Sequence, residues 1–190
     1  MTGRGRELVQ VCEKKNIDTL CVFKKKNLGG KSARELGDGY KLYYGGAENK
    51  RKGVGIILSP KYKESVMKVV SPLDKLIQMK LIVEGGVYNI VSAYAPQTGE
   101  TSEMKEKFMQ GFEDMVLSVA QTEKVIIGAD LNGHVGKEED GFNHVHRRKG
   151  YGQRNRDGDR ILECAESLTL ALANTFYEKP DEHLITYKSG

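Results

Sequence analysis

The chain has 190 residues, of which 38% are hydrophobic; 30 Lys and Arg face 26 Asp and Glu, there is no Trp, and only three Cys occur. That apolar content supports a packed core rather than a disordered chain, while no apolar run approaches the roughly 20 residues of a bilayer span and MTGRGRELVQ lacks a secretory apolar stretch, so a soluble intracellular protein of nucleus or cytoplasm with no membrane partner is expected. Cys12, Cys21 and Cys164, odd in number and without a CxxC pair, exclude a disulfide framework and a cysteine-rich zinc module.

Leu8, Val9, Val11 and Cys12 recur at near-helical spacing and predict a helix over about 5–15, followed by an apolar strand at 18–23. Segments 40–44, 53–58, 76–83 and 87–94 are rich in β-branched, aromatic or alternating apolar residues, and Gly45-Gly46, Ser59-Pro60 and Gly85-Gly86 punctuate them. These predict consecutive strands of an antiparallel or mixed sheet. Met104, Phe108, Phe112, Met115 and Val119, spaced four, four, three and four, draw one apolar stripe on a helix over 101–120. A buried strand at 125–128, a Gly- and charge-rich loop at 133–158, a helix at 158–168 and short strands at 171–175 and 184–187 complete the pattern. Strand runs with inserted helices predict an α/β (α+β) chain of stacked sheets flanked by helices, in one domain over 1–190.

Residues 1–60 carry 13 basic and 6 acidic side chains, so the positive surplus is N-terminal. Such a segment attracts phosphate polymers by counterion release, and serves equally as a solubilising lysine surface. A second basic run, Arg147-Arg148-Lys149 with Arg154, Arg156 and Arg160, lies in and beside the loop.

The sharpest chemical signal is VIIGADLNGH at 125–134, an apolar strand ending in polar side chains at a glycine turn. On an extended chain Asp130 and Asn132, two apart, share a face. A carboxylate there can hold a hard metal ion or orient a water, and an amide can donate to a phosphate oxygen; the same residue types also cap turns. A second strand delivers Tyr94 just before Pro96, where a phenol either bonds a phosphate oxygen or stands in water. Gly29-Gly30-Lys31-Ser32 ends like a phosphate loop, but Lys25 stands where that loop requires glycine, so no nucleotide cofactor is expected. His144 and His146 have no partner at zinc spacing and read as solvated; Ser92, Ser118 and Ser167 lie in no nucleophile elbow.

Together IDTLCV (17–22), ARELGDGYKLYY (33–44), GVGIIL (53–58), VSAYAPQ (91–97), GADLNGHVG (128–136) and ANTF (173–176) resemble the endonuclease/exonuclease/phosphatase superfamily. Within it they are most similar to the apurinic-type endonuclease domain of non-LTR retrotransposons. The resemblance implies a four-layer sandwich of two mixed β-sheets flanked by helices, here without its terminal strands, and a Mg²⁺-dependent phosphodiesterase that nicks DNA. It implies that Asp130 helps activate the attacking water, that Asn132 is its amide partner at the scissile phosphate and that Tyr94 contacts that phosphate. It also places Lys24, His134 and Asn174 on phosphate or DNA.

The chain departs from that pattern where the family carries Gln-Glu-Thr, whose Glu is a metal ligand; here the residues are Phe23-Lys24-Lys25-Lys26. The family's first-strand Asn would fall before Met1, and its closing Asp and His motif beyond Gly190. Two unit charges 4 Å apart interact by about 4 kcal/mol at an effective dielectric near 20, so a lysine facing a divalent ion is repelled by roughly twice that. The expectation is an endonuclease relative with impaired Mg²⁺ binding, no assigned metal ligand and a retained phosphate-facing groove for DNA. The alternative is a non-catalytic nucleic-acid-binding or protein-interaction module on the same fold.

Overall fold

A computed structural model describes residues 4–24, 32–45, 53–97 and 99–184, in two compact units, 1–130 and 131–190.

In the first unit, α1 (Arg4–Lys14) buries Val9 and Cys12 and leaves Glu7, Gln10 and Val11 in solvent. The first sheet contains β1 (Thr19–Lys24), β2 (Ser32–Gly37), β3 (Tyr40–Gly45) and β4 (Gly53–Leu58), in the order β1-β4-β3-β2 and antiparallel throughout. Asp38 and Gly39, both at positive φ (49° and 77°), close the β2–β3 hairpin, the left-handed pair that matches strand twist across a two-residue loop. The second sheet is mixed. β5 (Val66–Leu73), β6 (Leu76–Val83) and β7 (Gly86–Tyr94) form an antiparallel meander, and β8 (Lys124–Asp130) lies parallel to β7. Parallel pairing requires a crossover, which α2 (Ser102–Leu117) supplies, N-capped by Thr101 accepting the Met104 N–H.

Alternation along the strands sends one set of side chains between the sheets. Tyr43, Val54, Ile56 and Leu58 meet Ile77, Met79, Leu81 and Ile90 there, all buried. The other face of the first sheet takes Val9 and Cys12 of α1 against Tyr40, Leu42 and Ile57. The other face of the second takes α2, whose Phe108, Phe112, Met115 and Val116 are buried and whose Gly111 faces Leu73. The result is a helix, sheet, sheet, helix layering, as the resemblance implies; among the described strands the first sheet is antiparallel and the second mixed. Gln78, Asn89, Glu123 and Lys80 form a polar chain beneath the end of α2, with bonds of 2.9, 2.8 and 2.6 Å. Lys80 and then Asn89 hold the Glu123 carboxyl below its ordinary range.

The second unit packs α3 (Arg156–Ser167) on its own cluster of Val145, Leu162 and Ala165, bordered by Val135, Phe142, Leu170 and Leu172. A single-turn helix, α4, spans Asp181–Leu184.

Several expectations need correction. Residues 171–175 are not a strand: Ala173–Thr175 form a 3-10 turn in which the Thr175 hydroxyl donates to the Leu172 carbonyl at 2.8 Å. The expected strand at 184–187 begins on the last residue of α4, and 185–187 lie outside the described residues. Strand β8 is longer than expected and only half-buried, with Ile126 53% exposed, because it ends the row of strands in its sheet. β2 and β5, also at sheet ends, had no sequence-based expectation; their polar residues and Pro72 blur the alternation. Among the described residues no helix is long and apolar enough to cross a membrane.

Candidate functional site

Because β7 and β8 run parallel, their carboxyl ends fall together. Tyr94 and Asp130 are register partners at those ends, and the Ala95 N–H donates to the Asp130 carbonyl at 2.9 Å. Register partners on adjacent strands project to the same face, so the phenol and the carboxylate are neighbours by construction. Gln97 Nε2 donates to the Tyr94 hydroxyl at 3.0 Å, fixing the phenol. The tip of β1 reaches the same place from the other sheet. Phe23 stacks on Tyr94 with ring centroids 5.4 Å apart and planes inclined by 26°. Lys24, the last residue of β1, has its backbone paired with Gly53; the expectation for its side chain lies outside what is described.

The remaining sequence candidates belong to the second unit. The extended chain ends at Asp130, and Asn132 has a left-handed backbone (φ 52°), so strand alternation does not carry on to it and the shared-face argument fails at this residue. Asparagine tolerates that conformation. His134 is exposed, and its backbone is clipped to the start of α3: its N–H donates to Asn155 Oδ1 at 3.1 Å and its carbonyl accepts the Asn155 N–H at 3.0 Å. Asn155 is the N-cap of α3, accepting the Gly158 N–H at 2.8 Å. Asn174 is exposed in the 3-10 turn. The structure therefore brings Tyr94 and Asp130 together with the tip of β1, and places Asn132, His134 and Asn174 in the other unit.

No family model matches the chain. Craniofacial development protein 2 of Bos taurus is 24% identical over 190 residues, 98% of this chain and 31% of that protein, so the chain spans about a third of this curated relative's length. The endonuclease domain of TRAS1, a telomere-specific non-LTR retrotransposon, superposes with a TM-score of 0.56 at 12% identity, covering 86% of this chain and 64% of that one. The chain has the endonuclease/exonuclease/phosphatase fold. The AP endonuclease LMAP of Leishmania major shares it, with a TM-score of 0.51, 13% identity, and 84% and 60% of the two chains covered.

Mg²⁺ takes six hard oxygen donors at close to octahedral geometry, one or two of them protein carboxylates and the rest water or phosphate. Among the described residues, the donors at the strand tips are the Asp130 carboxylate and a phenol already held by Gln97, beside a phenylalanine ring. Among the described residues no three His, Cys, Asp or Glu side chains gather as a metal group. For a divalent ion this is a sparse donor set, with Asp130 as its one carboxylate among the described residues in register at these tips.

His146 is the residue that sequence reasoning misplaced. It is fully buried, not solvated: Nε2 lies 3.0 Å from the Gly136 carbonyl, and Nδ1 accepts the Arg148 N–H at 3.2 Å. An accepting Nδ1 makes Nε2–H the donor, so the folded ring is the neutral tautomer. His144 is exposed, as expected. The available signal was Gly136 and Gly150, which let backbone pass tightly against that ring; a Cβ on Gly150 would strike the Gly136 carbonyl.

Burial lowers the His146 pKa, against a smaller opposing pull from its bond to Gly136. Below about pH 6.5 the unfolded chain therefore takes up a proton that the folded ring refuses, and stability falls as pH drops. The urea midpoint is expected to be lower at pH 5.5 than at pH 7.5, and this dependence to flatten in His146→Asn.

Proposed function

We propose that this chain binds a nucleic-acid backbone phosphate at the tips of β1, β7 and β8, on a DNA-nicking fold whose Mg²⁺-dependent cleavage is impaired. The observation that carries this reading is the composition of the β1 tip. Where the resemblance calls for Gln and a metal-ligating Glu, the chain has Phe23 and Lys24, and Phe23 is packed on the phenol that stands in register with Asp130. Lysine favours phosphate and opposes a divalent cation at the same point. DNA is the partner class because the proteins that share the fold include endonucleases by name, and because the surplus of basic residues lies within residues 1–60.

Each described side chain has a definite part in this reading. Tyr94, oriented by Gln97, presents its hydroxyl to a phosphate oxygen. The Asp130 carboxylate, in register with Tyr94, is a like charge beside that phosphate, which opposes binding. Two charges 4 Å apart in water interact by about 1 kcal/mol, roughly five-fold in affinity. Asp130→Asn is therefore expected to tighten binding of a labelled oligonucleotide about five-fold, equally in Mg²⁺ and in EDTA, as read by fluorescence anisotropy. Weakening confined to Mg²⁺ would mean that the carboxylate holds a cation, against the proposal.

A further inference from the structure

Phenylalanine is an unusual choice at the mouth of a phosphate site, because a strand tip among polar groups leaves its ring wet. Phe23 is 39% exposed. One part of the ring is covered by Tyr94 at 5.4 Å, which holds the aromatic pair as one rigid platform. Tyr94 is itself held by its place at the end of β7 and by the bond from Gln97. The chain then continues as Lys24-Lys25-Lys26, and three consecutive residues span no more than about 10 Å. An exposed, pre-oriented aromatic directly followed by a cationic run is the pairing that single-stranded nucleic acids need: a π-face for a base and positive charge for the flanking phosphates.

Resting on the phosphate-binding reading above, we propose that Phe23 is a base-stacking residue, and that this chain takes an unpaired nucleotide whose base lies on the Phe23–Tyr94 pair. A base within a duplex has both faces covered by its neighbours, so the platform selects single strands or extruded bases. The contact is sequence-tolerant, since every base has a π-face.

The chain contains no Trp, so Phe23→Trp introduces a single indole at the point of contact. Its fluorescence is expected to be quenched by oligothymidylate and left unchanged by an abasic strand of equal length. In anisotropy titrations, Phe23→Ala is expected to weaken oligothymidylate binding by at least about five-fold, the lower end for loss of one stacked base, and to leave abasic binding unchanged. Phe23→Trp keeps an aromatic ring at this position, which guards against a loss caused by misfolding of the alanine variant. Binding without quenching, or equal losses on both strands in Phe23→Ala, would overturn base stacking while leaving phosphate binding standing. Failure of every strand to bind would overturn both.

Discussion

Gly158→Ala is expected to destabilise the second unit by about 3 kcal/mol, combining an overpacking strain with part of a helix cap. Gly158 sits in the first turn of α3, and a Cβ built on it would overlap the His134 carbonyl oxygen. That same oxygen accepts the Asn155 N–H, while Asn155 caps Gly158 and holds the His134 N–H. Neither neighbour is a flexible side chain that could swing clear, so the helix start and the 133–136 segment must separate. A urea titration gives the loss in stability, and hydrogen exchange of the Ile161 to Ala165 amides locates it. Gly99→Ala, where an added Cβ meets nothing within 4 Å, is expected to stay within about 0.5 kcal/mol of the parent. Equal stability of the two variants would contradict the close approach.

The layered part of the fold was legible because burial there follows simple periods. The α2 stripe predicted Phe108, Phe112 and Met115 as its buried face, and all three are buried, while Met104 at its first turn is 48% exposed. β6 and β7 each lie between two other strands and turn Ile77, Met79, Leu81 and Ile90 onto the first sheet, so their apolar content is high. Strands at sheet ends obey weaker rules, which is why β2 and β5 escaped notice and β8 looked more buried than it is. The run Ala171 to Thr175 is too short to separate strand from turn by apolar content; the Thr175 N–H bond to the Leu172 carbonyl and the Phe176 N–H bond to the Ala173 carbonyl make it a turn.

The site was legible in part. The segments around Tyr94 and Asp130 stand out as strand ends, but their adjacency depends on the parallel pairing of β7 with β8, a tertiary choice. The shared face expected for Asp130 and Asn132 does not carry over because the two-residue period ends with the strand, and the positive φ of Asn132 is a local turn property. The stacking of Phe23 on Tyr94 joins two sheets and has no signature in either segment alone.

Binding of a single strand is expected to weaken about fifty-fold between 50 and 200 mM monovalent salt. About four neutralised phosphates give a slope near −2.8 in logarithmic units, and a four-fold rise in salt converts that slope to this factor. The lysines following Phe23 are the natural contributors, since residues 1–60 carry 13 basic side chains against 6 acidic ones. Replacing Lys24, Lys25 and Lys26 together by serine is expected to flatten the slope by about 2. A slope unchanged by that replacement would move the phosphate contacts elsewhere on the molecule.

Cleavage is the most direct test. Phosphodiester hydrolysis on this fold needs an activated water and concentrated positive charge at the phosphoryl group. Among the described residues the strand tips hold one carboxylate, a phenol and an aromatic ring, a sparse seat for the ion that would supply both. Supercoiled plasmid incubated with the protein and Mg²⁺ is expected to remain supercoiled, and to look the same with Asp130→Ala. Conversion to open circles by the parent protein, lost in Asp130→Ala, would contradict the account.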